Sequence, residues 1–196
     1  MKPSELLSTI AIALILFASA SCGREKAIIG TMEDYRATTQ FDTEAEVSRD
    51  KMEKLVIAGT SAPVTRNVTP WKLYVLGPEK ISMLEKLKTV RPALCGARNA
   101  IVICGMTGRM GEGELREFWA QDCAAAAGNI LLAADAMGLG ANWLRVYPVQ
   151  VRIQEVTAAM HLPPGEVPFA IIPVGKPDVT DEAPHPETPQ TSITWL

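Results

Sequence analysis

The run GTSAPVTRNVTPWKLYVL, from Gly59 to Leu76, decides how this chain is read. A loop built on Ala62-Pro63 and punctuated by Asn67 and Pro70 ends at Trp71. An apolar strand, Leu73 to Leu76, follows at once. Proline fixes φ and asparagine bonds its own backbone, so both favour a turn. Upstream, Ser48 has the chemistry of a helix N-cap, and Asp50 lies in the first turn, where the helix dipole favours a carboxylate. Met52, Leu55 and Val56 follow at helical spacing, and Gly59 is the expected C-cap.

Downstream, Pro78 suits the first position of a helix whose stripe is Ile81, Leu84 and Leu87. Ala100 to Cys104 reads as a buried strand, followed by a glycine-rich turn from Gly105 to Gly113. Glu114 to Met137 is the longest helical segment, and its middle, Ala124 to Ala133, is apolar nearly all round, so it requires cover on most sides. Gly138 and Gly140 end it. A helix from Val149 to Met160 and a strand from Phe169 to Val174 complete the compact part, with a short helix from Ala27 to Tyr35 in front. The pattern predicts an α+β fold, helices around one small sheet.

The chain has 196 residues, is 47% hydrophobic and carries a net charge of −3. That is enough for one domain with a proper core, and it gives no electrostatic case for a nucleic-acid partner. Residues 1–22 differ in kind. Ile10 to Ala18 is continuously apolar, and small residues lead to Cys22. The stretch is short for a membrane span and fits an export signal. Ser19 to Cys22 resembles a bacterial lipobox, which implies lipidation at Cys22 and a membrane-anchored envelope protein. A plain cleaved signal and a retained anchor are the alternatives.

Residues 23–177 form the expected domain, and residues 178–196 an acidic, proline-rich arm with too little apolar content for a core of its own. Cys95, Cys104 and Cys123 would remain beside Cys22, and no CxxC spacing exists among them. His161 and His185 stand apart, so the sequence offers no metal site. Cys104 in its apolar run and Cys123 among alanines read as buried, inert thiols.

Five segments, in this order, resemble the flavin-dependent nitroreductase family: Tyr35 to Phe41, the Gly59 to Leu76 run, Asp122 to Pro148, the helix beginning at Arg152, and the strand ending in Gly175-Lys176-Pro177. The resemblance covers Ala27 to about Pro177. It implies an α/β sandwich with a small mixed sheet, a homodimer, and flavin mononucleotide (FMN) at the subunit interface. Arg36, Ala37, Thr38 and Gln40 fall on the family's R-x-S-x-R element for the flavin phosphate, with Gln40 in place of the second basic residue. Phosphate, a near-dianion, favours a forked guanidinium with hydroxyl and amide donors. Taken alone, Arg36 also reads as a solvated arginine after a helix.

The resemblance further places Pro63, Val64, Thr65 and Asn67 against the neighbouring subunit's flavin; by themselves Asn67 and Thr69 read equally well as turn residues beside Pro70. It assigns Leu144, Arg145 and Val146 to the strand whose backbone N–H faces flavin N5. Arg145 stands where glycine is frequent in the family, and its side chain either projects over the ring, favouring an anionic substrate, or leaves toward solvent. The implied activity is hydride transfer from NAD(P)H or another donor, through the flavin, to a nitro compound, quinone or similar small-molecule acceptor. No acid–base triad is needed because the cofactor carries the chemistry. A flavin-free lipoprotein using the same fold for ligand binding or assembly is the alternative, favoured by the charge missing at Gln40 and in the arm.

Overall fold

The computed structural model describes residues 27–111, 113–179 and 193–194. Cys22, residues 1–22 as a whole and nearly all of the acidic arm lie outside them. The chain divides into two compact units, residues 1–35 and 36–196. In the first, α1 spans 27–34, one residue short of the expected Tyr35. Among the described residues no helix is long and apolar enough to cross a membrane.

In the second unit α2 (Arg49–Thr60) starts as expected: the Ser48 side chain accepts the Lys51 N–H at 3.4 Å, and Asp50 lies in the first turn. Its end differs. Gly59 is buried inside the helix, and Ser61 is the C-cap. A Cβ on Gly59 would stand 2.8 Å from Cδ1 of Ile130, so this glycine lets α2 approach the helix that carries Ile130 rather than turning the chain.

Strand β1 (Trp71–Leu76) begins two residues before the expected start. Helix α3 (Pro78–Glu85) has Pro78 at its start and buries Ile81 and Leu84; Leu87 lies just beyond it. After the short α4 (Arg91–Leu94) comes β2 (Asn99–Met106), buried along nearly its whole length. The expected long helix begins late. Glu114–Phe118 is 3-10 helix, and α5 runs from Trp119 to Ala136. Strands β3 (Gly140–Ala141) and β4 (Leu144–Arg145), helix α6 (Gln150–Met160) and strand β5 (Glu166–Gly175) follow.

The sheet order is β1-β2-β5-β3, with β4 also on β5. Every pairing among the described strands is antiparallel, where a mixed sheet was expected. The connection through α3 and α4 returns the chain beside β1 in the opposite direction, so no parallel pair arises there. Val102, Cys104, Leu144, Val146 and Ile171 join Leu84, Val90 and Val156 in one core cluster. By alternation Ile101 and Ile103 point to the other face, which α5 covers. The cover that α5 itself requires comes from the sheet on one side and α2 on the other, where the Asn129 amide donates to the Ala58 carbonyl at 3.1 Å.

Pairing of β2 with β5 slips between Ile103 and Cys104. Ala170 pairs with Ile103 and Pro168 with Cys104, so Phe169 is the extra residue of a bulge and leaves the alternation.

At the start of α5 the Trp119 ring lies on Gly105, where an added Cβ would stand 2.1 Å from ring carbon Cε3. Gly105→Ala should therefore lower stability by about 1–3 kcal/mol, the usual penalty of overpacking. It should cost less in a Trp119→Leu background, where the smaller side chain can yield. Urea midpoints of the four proteins measure both effects, and equal losses in the two backgrounds would mean the ring does not sit there.

Candidate functional site

Residues 36–40 run beside the end of the sheet. The Thr38 N–H donates to the Ala141 carbonyl at 3.0 Å, and the Asp178 N–H to the Gln40 carbonyl at 3.0 Å. Phe41 bridges Pro177. The Thr38 side chain is buried and pressed on Gly140, whose missing Cβ would lie 2.3 Å from the hydroxyl oxygen. Arg36 is half-buried; Ala37 and Gln40 are exposed. Lys176, the cation nearest the end of β5, is engaged elsewhere, 3.6 Å from the Asp42 carboxylate.

The loop after α2 takes its shape from α5. Asp122, in the first turn of α5 and itself buried, accepts from the Thr65 N–H at 3.0 Å and the Thr65 hydroxyl at 3.1 Å. Arg66 and Asn67 are both left-handed, with φ of 54° and 60°, a conformation asparagine tolerates better than most residues. Pro63 and Asn67 are exposed, Val64 and Thr65 half-buried. The Arg109 guanidinium closes the loop on the Thr69 carbonyl at 3.2 Å.

The two segments do not meet within one chain. The loop is tied to the first turn of α5, while residues 36–40 lie against β3, just past its last. A helix of 18 residues is about 27 Å long.

Residues 144–146 follow β3 along the same edge of β5, and β3 is the element that touches the 36–40 segment, through Ala141. Leu144 and Val146 are buried in the core cluster, and Arg145 is exposed. The Val146 N–H donates to the Phe169 carbonyl at 3.0 Å, so it is taken. Alternation then turns the Arg145 N–H the other way, off the edge of the sheet, where no described strand pairs with β4. The Arg145 guanidinium sits over the Trp143 ring, 5.0 Å from its centre. Nearby, Trp119 meets Tyr147 edge-on at 4.8 Å and Phe169 at 6.0 Å, and Trp143 meets Phe169 at 6.1 Å. A cleft of about 360 Å³ opens beside this aromatic cluster, lined in part by Thr107, Arg116, Glu117, Tyr147 and Gln150.

Residues 85–176 match the model of the nitroreductase family. A protein of Methanothermobacter thermautotrophicus named "Putative NADH dehydrogenase/NAD(P)H nitroreductase" is 34% identical over 135 residues, which span 67% of this chain and 68% of that one. The chain belongs to the nitroreductase family. A solved structure of the same name from Bacteroides thetaiotaomicron is 34% identical, with a TM-score of 0.75, and covers 86% of this chain and 96% of its own. The fold is shared more widely. An FMN-dependent nitroreductase of Clostridium difficile superposes with a TM-score of 0.68 at 21% identity, covering 84% of this chain and 94% of its own. As a nitroreductase-family member the protein is an oxidoreductase.

Sequence reasoning missed the one strongly interacting carboxylate of this nitroreductase-family sheet. Glu166 opens β5 and is buried; Lys72 donates to it at 2.8 Å and the Tyr74 hydroxyl at 2.5 Å. Lys72 and Tyr74 alternate along β1, and that spacing was the available signal, but no rule names their shared partner, 94 and 92 residues away. Trp119 and Asp122 were likewise read only as parts of a helix. Both thiols are buried as expected; burial raises Cys104 to about 12 and pushes Cys123 up as well. Among the described residues no group of three or more His, Cys, Asp or Glu side chains could hold a metal.

Burial pushes the Glu166 carboxyl up, but the hydrogen bonds from Lys72 and Tyr74 outweigh it and hold the group below the ordinary range. A depressed folded-state pKa contributes stability above the unfolded value of about 4.3, and that contribution fades as pH falls through the folded value. Unfolding free energy should therefore drop as the solution is acidified below pH ~4.3, and Glu166→Gln should flatten the drop. Urea titrations at several pH values test this; identical acid slopes would remove Glu166 from the account.

Proposed function

We propose that this protein is an FMN-dependent oxidoreductase that passes hydride from NAD(P)H or another donor to a nitro compound, quinone or similar acceptor. The observation that carries the reading is the outward-facing Arg145 N–H on the open edge of β4, joined through β3 to the segment bearing Arg36. The residues present fit the cofactor. A phosphate needs a guanidinium and amide donors, and residues 36–40 supply Arg36 and the Gln40 amide on an accessible segment. The Thr38 hydroxyl, packed on Gly140, positions the segment more than it faces outward. FMN, when bound, supplies a hydride acceptor at its N5 atom; the Arg145 N–H is the donor this chain offers to that atom. The family relationship and the FMN-dependent neighbour of the same fold support the cofactor's identity.

A second copy completes the site. The Pro63 to Asn67 loop lies at the far end of α5 from Arg36, so it serves the flavin of a neighbouring subunit rather than its own. Two further features support a covered face. The indole N–H groups of Trp71 and Trp143 are buried without an acceptor among the described residues, which costs about 1–3 kcal/mol each if they stay unpaired. An apolar cleft of about 610 Å³ lies between α2 and β1, beside the exposed Ile57 and Val75. In light scattering at micromolar concentration the protein should have the mass of two chains; the mass of one would remove the shared site.

With Lys176 held by Asp42 and Gln40 uncharged, Arg36 is the principal cation for the phosphate. Arg36→Ala should weaken FMN binding by about 1.5–3 kcal/mol, ten- to a hundredfold, and Gln40→Arg should tighten it. Quenching of flavin fluorescence on titration into apo-protein measures both. Equal affinity of wild type and Arg36→Ala would put the phosphate elsewhere. No affinity in any variant, with a colourless purified protein, would favour the flavin-free reading, to which the uncharged Gln40 already points.

A further inference from the structure

We propose that Arg145, seated on Trp143 and backed by Arg152, makes this site selective for an acceptor that is a planar aromatic anion. The inference rests on the flavin reading above and names the class of acceptor. An exposed arginine is ordinarily a solvated one, and three observations set Arg145 apart. Its side chain has a fixed seat, the Trp143 ring at 5.0 Å, an attraction between a cation and an aromatic face. That seat uses the face of the guanidinium and leaves its N–H edges, five donors in a fork, for an oxyanion. Among the described residues no carboxylate takes them: Arg145 makes no ion pair.

The second observation is a companion charge. The Arg152 guanidinium donates to the Arg145 carbonyl at 2.8 Å, which brings it to the backbone of the same residue. The carboxylate one turn along α6, Glu155, is bonded to Thr89 instead. In the neighbouring cleft Arg116 is accompanied by Glu117, so that pair brings no surplus. Among the described residues neither Arg145 nor Arg152 is in ion-pair contact with a carboxylate. The third observation is place. The Arg145 Cα carries both this side chain and the N–H that points off the sheet edge, so whatever lies against that N–H lies within reach of the guanidinium. The half-buried rings of Trp143 and Tyr147 beside it offer a flat ring an aromatic neighbour, and the fork suits a carboxylate on that ring.

The test compares 4-nitrobenzoate with 4-nitrobenzamide, two acceptors alike in ring and size and different in charge. Each is titrated into the full-length protein as purified, with binding followed by tryptophan fluorescence, and each is then used as acceptor in steady-state turnover. A charge-assisted bond in place of a neutral one should give the acid an advantage of about tenfold in Kd, and kcat/KM should favour it similarly. Added salt should narrow the ratio. Arg145→Gln should bring the ratio near one, and Arg145→Lys should keep only part of it, having charge without the fork. Arg152→Met should reduce it by a smaller factor. Equal binding of acid and amide in the wild type would overturn the proposal, as would an unchanged ratio in Arg145→Gln. A protein that holds no flavin would defeat the flavin reading, while the binding ratio would still decide between an anion-selective surface and a solvated arginine.

Discussion

The Trp119 ring lies on Gly105, and much of the molecule is arranged by that contact. Only a residue without a side chain lets an indole approach the centre of a sheet so closely, and the approach fixes where α5 starts. From that start Asp122 reaches back to Thr65 and sets the loop after α2. The same ring meets Tyr147 and Phe169, which bound the strand carrying Arg145. Loop, helix and edge strand thus share one anchor. Two left-handed residues, Arg66 and Asn67, lie in the loop so anchored, and the bulged Phe169 meets the ring directly.

Charge is distributed with a different logic. Two carboxylates, Glu166 and Asp122, are buried with two donors each, whereas the segment expected to meet a phosphate keeps a single guanidinium. The Lys176–Asp42 pair matters here because an ion pair at 3.6 Å between partly exposed groups is weak by itself. Its effect is to occupy a lysine. A dianion at residues 36–40 would have to compete with Asp42 for that cation or rely on Arg36 and backbone donors.

Much of the architecture was legible because its signals are local. Ser48 at a helix start, Pro78 opening α3 and the apolar runs of β2 and β5 each follow from rules that need only neighbouring residues. Where reading failed, a distant partner decided. Gly59 looked like a stop because glycine ends helices, yet Ile130 on another helix explains it. Glu114 to Phe118 looked helical by composition, but regular α-helix begins only where Trp119 is pinned to the sheet. In the candidate site, Arg36, Asn67 and Arg145 were named by resemblance alone, and they lie on three separate segments of the fold. Glu166 and Asp122 were missed, since a carboxylate's partners across a sheet or a loop leave no trace in spacing.

The buried thiols bear on chemical durability. Quinones alkylate thiolates, and reduced nitroaromatics give electrophiles that do the same; the reactive species is the thiolate, not the thiol. With burial raising Cys104 to about 12 and pushing Cys123 up likewise, both stay protonated at neutral pH, and both are fully shielded from solvent. A protein handling such acceptors at the proposed site would carry sulfur through its centre without presenting it to its own products. Among the described cysteines only Cys95, half-exposed on the last turn after α4, is left to record that exposure as a covalent adduct.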